Sequence, residues 1–304
     1  MNLALLSFTA LLAAAQTVVA PPNLETAFQD LKDGVAKKDV GQVKKLAADA
    51  CALAREAIAE PAPAGADEKQ AWTNHVAFAR DVELYSEYAL YAIAVQVEPA
   101  TTIDLLATLE QQNPKSKYLP DAYGRYFYAL HQTGAAAKIP ALAEKVVANF
   151  PDNDDALLVL AENTYSKKQA DRALGYAHRL TAALNKRGKP EGMAAGDWER
   201  KRSAGLASGY WISGVLQAEK GIYFEADKDL RAALPLLGGN QARKSTALFY
   251  LGLANYQLGK MTMKKALVLE GMKFSQDAAA IQGPLAQEAW HNAQIMRDEA
   301  AKMR

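Results

Sequence analysis

The chain has 304 residues, half of them apolar, with 35 basic and 34 acidic side chains and a net charge of +1. That balance excludes a strong overall field that would draw the protein to nucleic acid or lipid phosphates, so a polyanion-binding protein is not expected. The one cysteine, Cys51, excludes an intramolecular disulfide and any multi-cysteine zinc site, and in Ala50-Cys51-Ala52 it reads as a small apolar residue on a helix face. Alanine is abundant while valine and isoleucine runs are short. This favours helices, because alanine surrenders no side-chain entropy there and β-branched residues do.

Residues 1–20 carry no charged side chain. The apolar stretch Leu3–Ala15 has the length of a signal-peptide core, and Ala13-Ala14-Ala15 supplies small residues for cleavage before Gln16. We therefore expect residues 1–15 to be an export signal, with cleavage as late as residue 20 fitting less well because Pro21 and Pro22 follow. The usual basic residue at the start is missing, which keeps an uncleaved anchor or a buried helix open. No later segment approaches the roughly twenty apolar residues of a membrane span. Export implies a periplasmic or secreted protein.

Residues 23–65 read as N-terminal helices, Leu24–Lys37 and Val40–Glu60, closed by the linker Pro61-Ala-Pro-Ala-Gly65. An amphipathic run follows from Glu68 to Val97, and helical pairs continue through residue 282. Gly283-Pro284 then opens a last helix, Leu285–Met303, whose polar side suits a cap over residues 283–304. The count comes to about eleven or twelve helices and no strand.

Within 66–282 the chain repeats itself. In Trp211-Ile-Ser-Gly214 to Leu234 a small residue sits mid-helix, Gly221 follows seven residues later at a turn, and Tyr223, Ala226, Leu230 and Ala233 come after. Ala161, Lys168, Ala173, Ala177 and Leu180 repeat that order. Thirty-four residues before them stand Phe127, Gly134, Ile139, Ala143 and Val146. Gly252 and Gly259 stand 38 residues after Gly214 and Gly221. Gly134, Gly221 and Gly259 are expected to end first helices in the left-handed conformation. Between Ala161 and Gly214 the spacing is 53 residues, and the excess forms an insertion loop at about 186–197 rich in turn formers. Asp197 there is expected to cap a helix beginning at Trp198.

These spacings resemble the tetratricopeptide repeat, clearest over 120–180 and 207–260. The turn Asn113-Pro-Lys-Ser-Lys-Tyr118-Leu-Pro120 is similar to those of bacterial envelope repeat proteins that serve outer-membrane assembly and division. The resemblance implies an all-α fold, an α-α superhelix built as a solenoid of antiparallel helix pairs. It also implies that first helices line a concave groove. Carried over position by position, the groove would hold Tyr91, Tyr128, His131, Glu162, Tyr165, Trp211, Phe249, Leu253 and Tyr256, a set suited to an apolar helix or an extended peptide of a protein partner. Aromatics at helical spacing also serve as inter-repeat core. The Lys/Asn/Arg clamp by which some family members hold a terminal carboxylate is absent.

Chemistry is harder to find. The histidines His75, His131, His178 and His291 have no second histidine at metal-ligand spacing, and no phosphate-binding loop or nucleophile elbow occurs. Asp152, Asp154 and Asp155 lack the glycine and terminal glutamate of a calcium loop and stand where a helix dipole favours acids. The expectation is a non-enzymatic binding module or scaffold without cofactor or metal. The alternative is a structural protein that self-associates as a homo-oligomer.

Overall fold

The structure is a computed structural model in which residues 23–190 and 192–303 are described. Among these residues the chain forms thirteen α-helices and no strand. The expected signal segment, residues 1–15 or 1–20, lies outside the described residues. The chain divides into two compact units, one ending at Ala89 and one beginning at Leu90.

In the first unit, helix α1 (Leu24–Lys37) starts where the Asn23 side chain accepts the Thr26 N–H at 2.8 Å. Helix α2 (Val40–Ala59) starts likewise on Asp39, with Lys38 turning the chain at φ 54°. The two helices pack through Leu31, Ala27 and Gly34 on one side and Val43 and Ala47 on the other, positions without exposed surface to spare. Phe28 meets Phe78 and Tyr85 edge-on, with ring centres 5.6 and 5.3 Å away. Both partners lie on helix α3 (Ala66–Ala94), which runs through the boundary between the units.

The second unit continues with α4 (Pro99–Gln112), α5 (Leu119–Gln132), α6 (Ile139–Asn149), α7 (Asp154–Ser166), α8 (Ala170–Lys186), α9 (Ala195–Glu219), α10 (Tyr223–Ala233), α11 (Gln241–Thr262), α12 (Lys265–Ala279) and α13 (Ala286–Lys302). From α6 to α13 each helix packs on the next, and α5, α7, α9, α11 and α13 also touch in succession. This is an all-α helical repeat superhelix, in which each pair buries its apolar face against its neighbours.

Small residues set the spacing between helices. A Cβ placed on Gly214 would lie 2.6 Å from Leu230 Cγ and 3.1 Å from the Leu230 backbone nitrogen, so α9 and α10 cross where α9 has no side chain. Gly221 turns the chain between them at φ 75°, as does Gly134 after α5, while Lys168 takes the same left-handed position at φ 57°. Gly259 departs from expectation. It does not end a helix: α11 runs on to Thr262 and Met263 makes the left-handed turn at φ 54°. Gly259 instead lets α12 approach, since a Cβ there would stand 2.6 Å from Val268 Cγ2.

The insertion is also reassigned. Most of its extra length is helix, because α8 reaches Lys186 and α9 begins at Ala195, leaving the loop 187–194. Asp197 caps nothing; it sits in the first turn of α9 and pairs with Arg200. The last helix begins at Ala286, close to where Gly283-Pro284 placed it.

Replacing Gly214 with leucine should cost about 3 kcal/mol, because the new side chain can enter the α9–α10 contact only by displacing backbone. Thermal melting followed by circular dichroism is expected to show a lowered midpoint. An unchanged midpoint would contradict the packing described.

Candidate functional site

Three successive first helices, α7, α9 and α11, bring one polar cluster together. The Arg243 guanidinium donates from Nη2 to both Glu162 oxygens, at 2.8 and 2.9 Å, and from Nη1 to Ser208 Oγ at 2.6 Å. Ser208 Oγ in turn donates to Glu162 Oε1 at 2.6 Å. The guanidinium lies 5.0 Å from the centre of the Trp211 ring, and Trp211 Nε1 donates to the Arg243 carbonyl at 3.0 Å. Both Glu162 oxygens and the Ser208 hydroxyl oxygen are thus met from within the cluster, and its charges cancel. Three repeats are locked in one register by a single arginine.

Beside this cluster Tyr165 stands edge-on to Trp211, ring centres 5.2 Å apart. Burial raises the Tyr165 hydroxyl above its ordinary pKa, so it remains a neutral donor and acceptor. A cavity of about 500 Å³ opens here, lined by Tyr165, Ser166, Lys168, Ala170, Leu216 and Glu219. Glu219 accepts a hydrogen bond from the Tyr250 hydroxyl at 2.8 Å; burial, and then this bond, push the Tyr250 pKa up. The cavity therefore has an aromatic wall, an aliphatic floor and one charge of each sign at its rim. Such a lining suits a peptide side chain with its backbone amides.

The groove residues expected from sequence separate into three groups. Glu162, Tyr165 and Trp211 come together as described, Trp211 buried beneath the others. Tyr91 stacks on Tyr118 at 5.6 Å, while Tyr128 and His131 stand exposed on α5, with Arg125 5.7 Å over the Tyr128 ring. Phe249, Leu253 and Tyr256 lie further along α11. Phe249 is buried with Leu248, Ala278 and Ala289, so it belongs to the core and not to a groove. Tyr250, one residue on and about 100° round the helix, faces Glu219 in its place. Tyr256 packs half-buried against Val268, Met296 and Ala300, and Leu253 is half-buried beside it in the chain. Ser208, Glu219, Arg243 and Tyr250 carried no signal in the sequence. Arg243 and Glu162 are 81 residues apart, and Arg243 occupies no repeat-marking position.

A second cluster fixes the insertion. Arg187, at its start, bonds Asp154 and Asp121, and Lys201 Nζ lies 3.0 Å from Asp154 and 2.7 Å from Asp155. Arg187 also lies 5.9 Å from the Trp198 ring. Asp154 and Asp155 open α7, so the helix dipole and two cations favour the same charges. Burial opposes the charge of Lys201, but Asp155 and Asp154 outweigh it and raise its pKa. These residues anchor a loop, and with their charges paired they leave no acid free for a cation. No group of three or more His, Cys, Asp or Glu side chains among the described residues could hold a metal ion.

Lys201→Met should destabilise the protein by about 3 kcal/mol, because it strips the buried Asp154 of one cation. The folded-state pKa of Lys201 is raised. Its contribution is therefore complete below the ordinary lysine value of about 10.4 and fades as pH rises through the folded value. Urea unfolding of wild type and variant at neutral and strongly alkaline pH checks this: the gap is expected at the first and reduced at the second.

Comparison with protein-family models, with curated proteins and with solved structures returns no match.

Proposed function

We propose that this chain is a non-enzymatic protein-interaction module of tetratricopeptide-like design, which binds an extended peptide or helix of a protein partner across α7, α9 and α11. The observation that carries the reading is a cavity between successive repeats, lined from α7, the turn after it, α8 and α9, with α11 joined to its rim through the Tyr250–Glu219 hydrogen bond. Tyr165 and Leu216 supply apolar area, and Lys168 and Glu219 stand at the rim for backbone or terminal groups. The Glu162–Ser208–Arg243 cluster holds the wall rigid, so little ordering is left for binding to impose. Aromatic anchors in pockets of this kind carry most of the affinity in protein interfaces.

With the apolar stretch at residues 3–15, this reading places the module in the bacterial cell envelope as an exported scaffold. No helix among the described residues is long and apolar enough to cross a membrane. A second reading, structural self-association, draws support from the end helix α13, where Trp290 is well exposed. A neighbouring copy's α13 is then the occupant of the first-helix face.

Crosslinked pull-down from the native host tests the first reading with Tyr165→Ala combined with Glu219→Ala, two changes at the cavity rim. The double variant should keep its helicity and lose a captured partner at least tenfold, since a buried aromatic anchor is worth about 2 kcal/mol or more. Equal capture by both proteins would move the binding site elsewhere. Light scattering over a concentration series separates the second reading, which requires mass to rise with concentration and to fall back in Trp290→Ser.

A further inference from the structure

The near-zero net charge conceals one uneven edge. The turn between α9 and α10 exposes Ile222 at 46% and the first turn of α10 exposes Phe224 at 70%; the last turn of α11 exposes Met261 at 72% and the turn after it Met263 at 79%. Asn255 relates the two turns. It donates to Asp227 Oδ1 at 2.6 Å and accepts from Arg231 Nη2 at 3.2 Å, which sets α10 against α11. With α10 antiparallel to α11, that register brings Ile222 and Phe224 level with the last turn of α11, Lys260 to Thr262.

Lysines lie close to these side chains in the chain. Lys260, Lys264 and Lys265 all fall between residues 256 and 269, a stretch without an acid, and Lys220 closes α9. The preceding turn, after α7, adds Lys167 and Lys168. The acids nearby have partners: Asp171 pairs with Lys220 at 2.5 Å, so those two charges cancel, Glu225 lies 3.8 Å from Lys228, and Glu219 accepts from the Tyr250 hydroxyl and keeps its charge, which leaves Lys260, Lys264 and Lys265 as the surplus. Lys265 donates to the Met303 carbonyl at 3.0 Å, which places the end of α13 on the same edge. The α10–α11 and α12–α13 connections differ, since residues 234–241 and 280–285 contain no charged side chain, whereas the connection into α9 carries Arg187, Lys189 and Glu191.

We propose that the α9–α10 and α11–α12 turns form an edge that seats on an anionic lipid surface, with Ile222, Phe224, Met261 and Met263 entering the interfacial layer and Lys260 and Lys264 meeting lipid phosphates. Two features select lipid over a protein occupant. The four exposed apolar side chains sit in, or within one helical turn of, two neighbouring connections, so they need a medium that yields around them. These ammonium groups match a surface of uniform negative charge, where each lysine contributes by proximity alone. Longer-range attraction is weak at this net charge, so binding depends on these few residues and falls with added salt.

The test uses the full chain carrying Cys51→Ala and Met261→Cys, labelled at position 261 with a nitrobenzoxadiazole dye. It is titrated with vesicles of phosphatidylcholine and phosphatidylglycerol, or of phosphatidylcholine alone. The expected result is a blue shift and brightening on anionic vesicles only, with silence from the same dye at Gln276→Cys on α12. Adding Lys260→Glu and Lys264→Glu should raise the lipid needed for half-saturation at least tenfold. No change at position 261, an equal change on neutral vesicles, or an unmoved midpoint in the charge-reversed protein would overturn the proposal. So would a dye response that grows with protein concentration in the absence of lipid, which would mark a second copy as the occupant. Binding through residues 1–20 alone would leave positions 261 and 276 equally silent and likewise overturn it.

Discussion

The close crossing of paired helices is the constraint from which the rest follows. Where α9 passes α10 the Gly214 position has no room for a Cβ against Leu230, and α11 meets α12 through Gly259 against Val268 in the same way. A larger residue at either place would push the pair apart. Because each helix pair touches only its neighbours, an error in spacing at one crossing would carry into the next. The tight crossings are what hold α7, α9 and α11 near enough for one arginine side chain to reach all three.

The Arg243 cluster then does two things at once. It fixes the register of successive repeats, and it leaves the first-helix face with its charges cancelled and its aromatic surfaces on view. Glu162, Ser208 and Arg243 spend their hydrogen bonds on one another. What lines the cavity on this face is therefore the Tyr165 ring, the Leu216 side chain and the opposite charges of Lys168 and Glu219. The cluster at Asp154, Asp155, Arg187 and Lys201 plays the first role without the second. It pins the long α8–α9 excursion to the start of α7 and shows why an insertion in a repeat array need not be loose.

Much of the fold was legible because helix ends are local events. The bounds Leu24–Lys37 follow from Asn23 ahead of the apolar period and Lys38 after it, and Gly134, Lys168 and Gly221 mark turns by position alone. Gly259 was misread because two physical demands select glycine: left-handed backbone and close approach. The sequence pattern does not distinguish them. Asp197 was misread because a capping residue is also a common first-turn residue. The site was legible in part for a related reason. Glu162, Tyr165 and Trp211 lie on a stripe that the repeat period defines, whereas Arg243 and Ser208 join them through contacts between repeats, which leave no period in the chain. Phe249 and Tyr250 differ by one residue and face a core and a cavity rim respectively, so a repeat alignment uncertain by one position cannot separate them.

A photoreactive amino acid placed at Tyr165 in the native host measures the central claim most directly, with the same group at Gln276 on the second helix α12 as reference. The account predicts a discrete crosslinked partner from position 165 and none from position 276. Identical crosslinking patterns from the two positions, or capture from position 276 alone, would contradict it.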